Sequence, residues 1–566
     1  MAIRKTILLG EKLIQKGLIT QRDLDIGLEE HENKGQFLGT TLIKLGFIKE
    51  DDLYSVLSEQ LNIPYIKIKS IPIDTKILEK VPAKYACHYK LMPINFEKST
   101  LTVAIADPLN LKTLDDLKLL LGCHVSGVLA SEIDIAEAIK KYYGIGADTI
   151  EEISDTNISG EEDRVQTSKT EDIENLAEDA SIIKFVNQIL LQAVKDKSTD
   201  IHIEPYENEL FVRYRIDGIL YEVPIPQNIK HFQYAIVSRI KIMANMDIAE
   251  RRLPQDGRIK IKMGKDELDL RVSILPTQFG ETVNIRLLSG SLMMFSLENL
   301  GLLPNDIAIL DKLIHRPHGI IFVTGPTGSG KTTTLYSCLS KINSRDKKII
   351  TIEDPIEYIL KGANQIQVHP RIGLTFANGL RSMLRHDPDI MMVGEVRDFE
   401  TAEITIRVAL TGHLVFSTLH TNDAAGGVTR LIDMGVEPFL VASSVECFVA
   451  QRLVRLVCPD CKVEKKPDKK VLKEFGIGDD VDKVVIYEGK GCEACKFTGY
   501  RGRTAIYEFL LMDEEIRELV LQRVSSDQIK KKALELGMNT LRMDGWEKVK
   551  KGRTTLSEII RVTEMD

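Results

Sequence analysis

No uninterrupted apolar run of about 18 residues occurs in the 566-residue chain, which argues against a membrane-spanning helix. The first residues, MAIRKTILLGEKLIQKG, lack the apolar core of a signal peptide and are broken by charge. The expectation is therefore a cytoplasmic protein that reaches a membrane only through a partner. A basic excess is missing too. Net charge is −8, and residues 151–179 carry eleven acidic and two basic side chains, −9 by themselves. The remainder is close to neutral, which argues against nucleic-acid binding as the main role, because that needs a strong cationic footprint. What is present, 43% hydrophobic and 28% charged residues, is a soluble globular composition with length for three to four domains.

The N-terminus contains a repeat. LLGEKLIQKGLITQRDLDIGLEEH (8–31) aligns with FLGTTLIKLGFIKEDDLYSVLSEQ (37–60), pairing Leu9 with Leu38, Gly10 with Gly39, Leu13 with Leu42, Gly17 with Gly46 and Leu24 with Leu53. Each copy reads as a short helix, a glycine stop and a second amphipathic helix with acidic residues in its first turn. Units this short must pack on each other to bury their faces. The expected order is a helical tandem-repeat module (1–62), a small α/β module (63–143), an acidic flexible linker (144–179), an α+β domain (180–290) and an α/β domain with a helical tail (291–566). The linker assignment follows from its charge and scarcity of aromatics, the last from alternating strands and helices.

GIIFVTGPTGSGKTTTLYSCL places G-x-x-x-x-G-K-T after an apolar strand and before a helix-forming stretch. In such a loop Gly325, Pro326, Thr327, Gly328, Ser329 and Gly330 turn backbone N–H groups toward phosphate oxygens, and the helix end favours the anion. Lys331 offsets phosphate charge, Thr332 can ligate Mg²⁺, and Thr333 continues the first turn. Hydrolysis also needs a carboxylate. Glu353 ends KKIITIE, Glu395 ends PDIMMVGE and His420 ends HLVFSTLH, all at strand ends where open α/β sheets bind ligands.

GPTGSGKTTT, ITIEDPIEY, MMVGEVRD and STLHTNDAAGGVTRL resemble the Walker A, Asp box, Walker B and His box of the type II/type IV secretion ATPase superfamily. STDIHIEP and VRYRIDG resemble the domain that precedes the motor there. The resemblance implies a RecA-like P-loop motor domain preceded by an α+β, PAS-like domain. It also implies ATP as substrate and a homohexamer. Glu395 would assist the metal, Glu353 would polarise the attacking water and His420 would sense the γ-phosphate, with the two glutamates exchangeable in the water-activating role. Arg271 and Arg286 would reach a neighbouring subunit's nucleotide. The alternation Leu268, Leu270, Val272, Ile274 puts Arg271 on the opposite strand face, and Val283, Ile285, Leu287 does the same for Arg286. Arg213, Arg215, Arg381, Arg385 and Arg503 are further candidates.

Two C-x-x-C pairs, Cys458/Cys461 and Cys492/Cys495, are separated by thirty residues. This is tetrathiolate spacing, read here as a closed structural zinc site. In the resembling family the pattern marks pilus-assembly and type II secretion ATPases. The tandem repeat resembles a motif that binds cyclic di-GMP in some of these enzymes. The motif begins Arg-Leu-Gly there, but Leu8-Leu9-Gly10 and Phe37-Leu38-Gly39 here. A docking module for a membrane platform protein is the alternative. The whole chain is most similar to type IV pilus assembly (extension) ATPases. That implies pilin polymerisation at an inner membrane beside a pilus platform protein. A type II secretion ATPase and a nucleic-acid translocase are the rivals.

Overall fold

The computed structural model describes residues 9–34, 38–78, 80–107, 111–144, 180–263, 266–289, 296–466 and 485–563. Leu8, Phe37, all of the expected acidic linker beyond Gly144 and most of the loop between the cysteine pairs lie outside them. The chain divides into two compact units, Met1–Ser289 and Gly290–Asp566. Among the described residues no helix is long and apolar enough to cross a membrane.

In the first unit both repeat copies contribute to one core of Leu13, Ile19, Leu24, Leu42, Ile48, Leu53 and Val56. The repeated glycines have a packing reason. A Cβ at Gly10 would lie 2.6 Å from the Leu24 side chain, and one at Gly39 would lie 2.8 Å from that of Leu53. The short helix of each copy thus closes directly on the second. The copies differ at the second helix. Asp23 N–H donates to Thr20 Oγ1 (3.2 Å) and Thr20 N–H to Asp23 (2.9 Å), whereas Lys49 offers no side-chain cap.

A three-stranded sheet follows, Leu91–Glu97, Thr100–Ile105 and His124–Leu129. Next comes a six-stranded antiparallel sheet in the order Ile219–Glu222, Leu210–Ile216, Asp200–Pro205, Gly280–Ser289, Asp266–Thr277, Gln255–Met263. Alternate residues Ile201, Ile203, Val212, Tyr214, Leu270, Val272, Val283 and Ile285 form a core with helices Ala180–Lys195 and Gln233–Met243. Arg213, Arg215, Arg271 and Arg286 therefore take the opposite face, as the alternation predicts.

The second unit is built on a seven-stranded sheet. Its order is Ala363–Gln367, Ile349–Glu353, Ile390–Val393, Leu414–Leu419, Gly319–Thr324, Val445–Val457, Tyr500–Leu511. All neighbours are parallel except the last pair. Gly319–Thr324 is buried along its whole length. Ile320 and Phe322 enter one core with Val415, Leu419 and Phe448, while Ile321 and Val323 enter the other with Leu335, Tyr336 and Phe416. Helices cover both faces, which accounts for the continuous apolar runs of these strands. The architecture is the expected α/β multidomain one, with a RecA-like order around the phosphate-loop strand.

Candidate active site

The loop from Gly325 to Gly330 joins strand Gly319–Thr324 to helix Lys331–Ile342. Gly330 caps that helix at φ 90°, a left-handed value that side chains resist. A Cβ at Gly325 would meet the Gln451 carbonyl and Ser329 Oγ, both at 2.6 Å. Ser329 Oγ is buried without a hydrogen-bond partner. Tight backbone, a helix end and an unsatisfied buried hydroxyl fit a phosphate chain. Pro326 and Thr327 form the loop's crest, and Thr332 and Thr333 occupy the first helical turn.

Lys331 is 9% exposed. Its ammonium donates to the carbonyls of Gly325 (2.8 Å) and Pro326 (3.0 Å). Burial pushes its pKa down to about 8; the Glu395 charge opposes this and that of Arg452 adds to it. Glu395 lies two residues beyond strand Ile390–Val393 and His420 one residue beyond Leu414–Leu419. His420 Nε2 is 3.5 Å from Glu395 Oε2, and Arg397 holds Glu395 Oε1 at 2.5 Å. Burial, then the Lys331 charge, lowers the His420 pKa against the pull of Glu395.

Glu353 ends the next strand but is enclosed differently. The Tyr336 hydroxyl donates to its Oε2 (2.6 Å), and Thr351 (2.6 Å) and Gln365 (3.1 Å) donate to its Oε1. Both oxygens are thus engaged by buried donors. Glu395, met by the exposed Arg397 and by His420, is the less enclosed carboxylate of the two.

In the first unit the cross-strand register runs Arg258, Arg271, Arg286, Asp200, Arg215. Arg286 Nε donates to Asp200 (3.1 Å). Like charges directly opposite each other weaken a sheet, and acidic side chains of the same sheet offset part of this row: Asp269 pairs with Arg258, and Asp200 with Arg286 and Arg215. In the second unit Arg381 pairs with Glu400 (2.7 Å), Arg385 donates to the Arg381 carbonyl (3.0 Å), and Arg503 stands in register with Arg455.

Sequence reasoning missed Gln451, Arg452 and Glu508. Gln451, 2% exposed, accepts from Thr334 Oγ1 (2.8 Å) under the phosphate loop. Arg452 donates to the Asn422 carbonyl (2.7 Å). A polar residue interrupting a strand buried on both faces, as in CFVAQRLV and TAIYEFLL, was the available signal.

The four cysteines converge. Their sulfurs all lie within 4.8 Å of one another, with Cys458–Cys492 and Cys461–Cys495 at 3.8 Å and Cys492–Cys495 at 3.7 Å. A tetrahedron of Zn–S bonds of about 2.3 Å places sulfurs about 3.8 Å apart. Cys495 Sγ also accepts the N–H groups of Cys492 (3.1 Å) and Gly499 (3.3 Å), which favour a thiolate. The donor set fits Zn²⁺. The site is anchored on the hairpin Lys462–Lys465/Ile486–Gly489.

Residues 175–561 match the profile of the type II/IV secretion system protein family. The chain belongs to the type II/IV secretion ATPases. The secretion ATPase is 47% identical over 564 residues to a type IV pilus assembly ATPase of Myxococcus xanthus, covering 99% of each chain. It is 40% identical over 560 residues to a type II secretion system protein E of Xanthomonas campestris pv. campestris, covering 98% of each. Residues 61–149 match the MshEN domain profile. The crystal structure of the Yersinia pseudotuberculosis ATPase DotB shares the fold, with TM-score 0.50 and 19% identity over 68% of this chain and 94% of that one.

Two outcomes follow for this secretion ATPase. Phosphate binding restores the charge that burial takes from Lys331, so nucleotide binding takes up a proton near pH 8. Affinity therefore falls as pH rises above 8, by up to about tenfold per unit, and Lys331→Ala loses this dependence; titration calorimetry in two buffers measures both. Metal analysis of the purified protein gives one zinc per chain, and Cys492→Ser removes it and lowers the melting temperature.

Proposed function

We propose that this ATPase works as a homohexamer that drives pilin polymerisation for type IV pilus assembly. The observation that carries the reading is the convergence of Lys331, Glu395 and His420 at neighbouring strand ends, in a chain similar over its whole length to a pilus assembly ATPase. Lys331 and the 325–330 backbone would bind the phosphates of ATP. Thr332 and Glu395 would hold Mg²⁺, which would offset the charge of the phosphates. Glu395 would also orient the attacking water. Glu353 is the alternative in that role, and its enclosure by Tyr336, Thr351 and Gln365 favours Glu395. His420 would sense the γ-phosphate. Arg271 and Arg286 would complete a neighbouring subunit's site, which makes hydrolysis depend on ring closure.

The domains proposed are those set out from the sequence: repeat module (1–62), α/β module (63–143), linker (144–179), arginine-bearing α+β domain (180–290) and zinc-clipped motor (291–566). Cys458, Cys461, Cys492 and Cys495 would hold zinc, giving the hairpin a fixed base. The repeat module (1–62) would receive cyclic di-GMP or dock on an inner-membrane platform protein, placing the ATPase at the cytoplasmic face of that membrane. The 40% identity to a type II secretion protein supports a second reading, pseudopilus assembly for protein export. A chromosomal Glu395→Gln substitution separates them. The pilus reading expects loss of surface pili with normal protein secretion. Intact pili with blocked secretion would transfer the assignment to the second reading.

A further inference from the structure

The turn that carries His420 is held by residues outside the phosphate site. Residues 420–424 lead from strand Leu414–Leu419 into helix Ala425–Asp433. Thr421 donates to Thr324 Oγ1 (2.7 Å) at the end of the phosphate-loop strand. Arg452 donates to the Asn422 carbonyl. Asp423, just before the helix, accepts the Gly426 N–H of its first turn at Oδ1 (2.8 Å).

A further anchor comes from the last strand of the sheet. Glu508 Oε1 accepts the N–H of Ala424 (2.9 Å), and Glu508 Oε2 accepts that of Leu541 (3.3 Å). Leu541 opens helix Leu541–Lys550. One carboxylate, 1% exposed, therefore spans the N-terminal ends of two helices, one beginning at the His420 turn and one in the C-terminal region. Burial raises its pKa, and the two N–H groups oppose that rise. An apolar side chain would fill a buried strand position without this desolvation cost. What the carboxylate adds is geometry: it ties the first residue after the His420 turn to the start of another helix. From the same helix, Asp544 accepts the backbone N–H of Tyr507, the neighbour of Glu508 in the strand (2.8 Å), and the Lys548 ammonium (2.6 Å).

We propose that Glu508 is a positioning residue for ATP hydrolysis, fixing the His420 turn against helix Leu541–Lys550. The orientation of His420 then depends on the packing of the C-terminal helices. This rests on the reading of His420 as the phosphate sensor. It adds a buried residue that holds that sensor and names the element to which it is tied.

Steady-state ATPase assays of the full-length protein test it. Glu508→Gln keeps one acceptor but turns an amide N–H toward a backbone N–H. It lowers kcat by about tenfold or more, because a displaced reacting group loses rate steeply with distance, and leaves KM for ATP within about twofold. Thr540→Ala is the control. It removes the hydroxyl that accepts the Met543 N–H (3.2 Å) at the start of the same helix, a bond distinct from the two that Glu508 accepts. It lowers the melting temperature but keeps kcat within about twofold. Should Glu508→Gln be insoluble, Glu508→Asp, one methylene short of both N–H groups, carries the same expectations. An unchanged kcat in the Glu508 variant, or an equal loss in Thr540→Ala, overturns the proposal. Full rate in Glu508→Gln beside an inactive His420→Ala enzyme removes the positioning role alone. Full rate in His420→Ala removes the sensor reading beneath it.

Discussion

The parallel pairing of Gly319–Thr324 between Leu414–Leu419 and Val445–Val457 is the constraint on which the site depends. Thr324 stands level with Leu419 on one side and Ala450 on the other, and Val393 stands level with Ser417. That register places Gly325, Glu395, His420, Gln451 and Arg452 within two residues of the same sheet edge. It is held by apolar alternation: Ile320 and Phe322 commit one face, Ile321 and Val323 the other. A one-residue slip would exchange the two faces of the central strand and shift the phosphate loop relative to Glu395 and His420. Strand packing thus sets where the chemistry sits, and the conformation of the 325–330 loop shapes the phosphate site there.

Electrostatics then follow from depth. Lys331 is buried where the phosphate chain would lie, with Glu395 and Arg452 pulling its proton affinity in opposite directions. Burial, and after it the same lysine's charge, lowers the proton affinity of His420. Around this centre lies a layer of buried polar residues: Tyr336 and Gln365 on Glu353, Thr334 on Gln451, Glu508 on Ala424. Each is satisfied through partners on another element, so each links the nucleotide site to a different part of the unit. In low dielectric such links are strong when complete and costly when broken.

The phosphate loop, the strand-end acids and the tetracysteine site were legible because each is local: glycines and a lysine at fixed spacing, a polar residue ending an apolar run, two C-x-x-C knuckles. The arginine faces were legible from period-two alternation. The repeat was legible as paired residues, and the structure adds why Gly10 and Gly39 recur, since Leu24 and Leu53 close on them. What escaped is long-range. The closure around Glu353 depends on Tyr336 one helix earlier and Gln365 one strand later. Glu508 reads as a misplaced charge in TAIYEFLL until strand order brings Ala424 and Leu541 to it. Spacing along the chain carries no trace of such contacts, which arise only when the sheet assembles.

The central claim, that hydrolysis is performed at the strand ends with Glu395 as the decisive carboxylate, is tested most directly by steady-state ATP turnover of wild type and Glu395→Gln, each with its oligomer mass measured alongside. The account predicts that the wild type turns over as a hexamer and that the variant loses about a hundredfold or more in kcat with unchanged mass, the scale of a lost general base. A Glu395→Gln enzyme of the same mass turning over at the wild-type rate would contradict it.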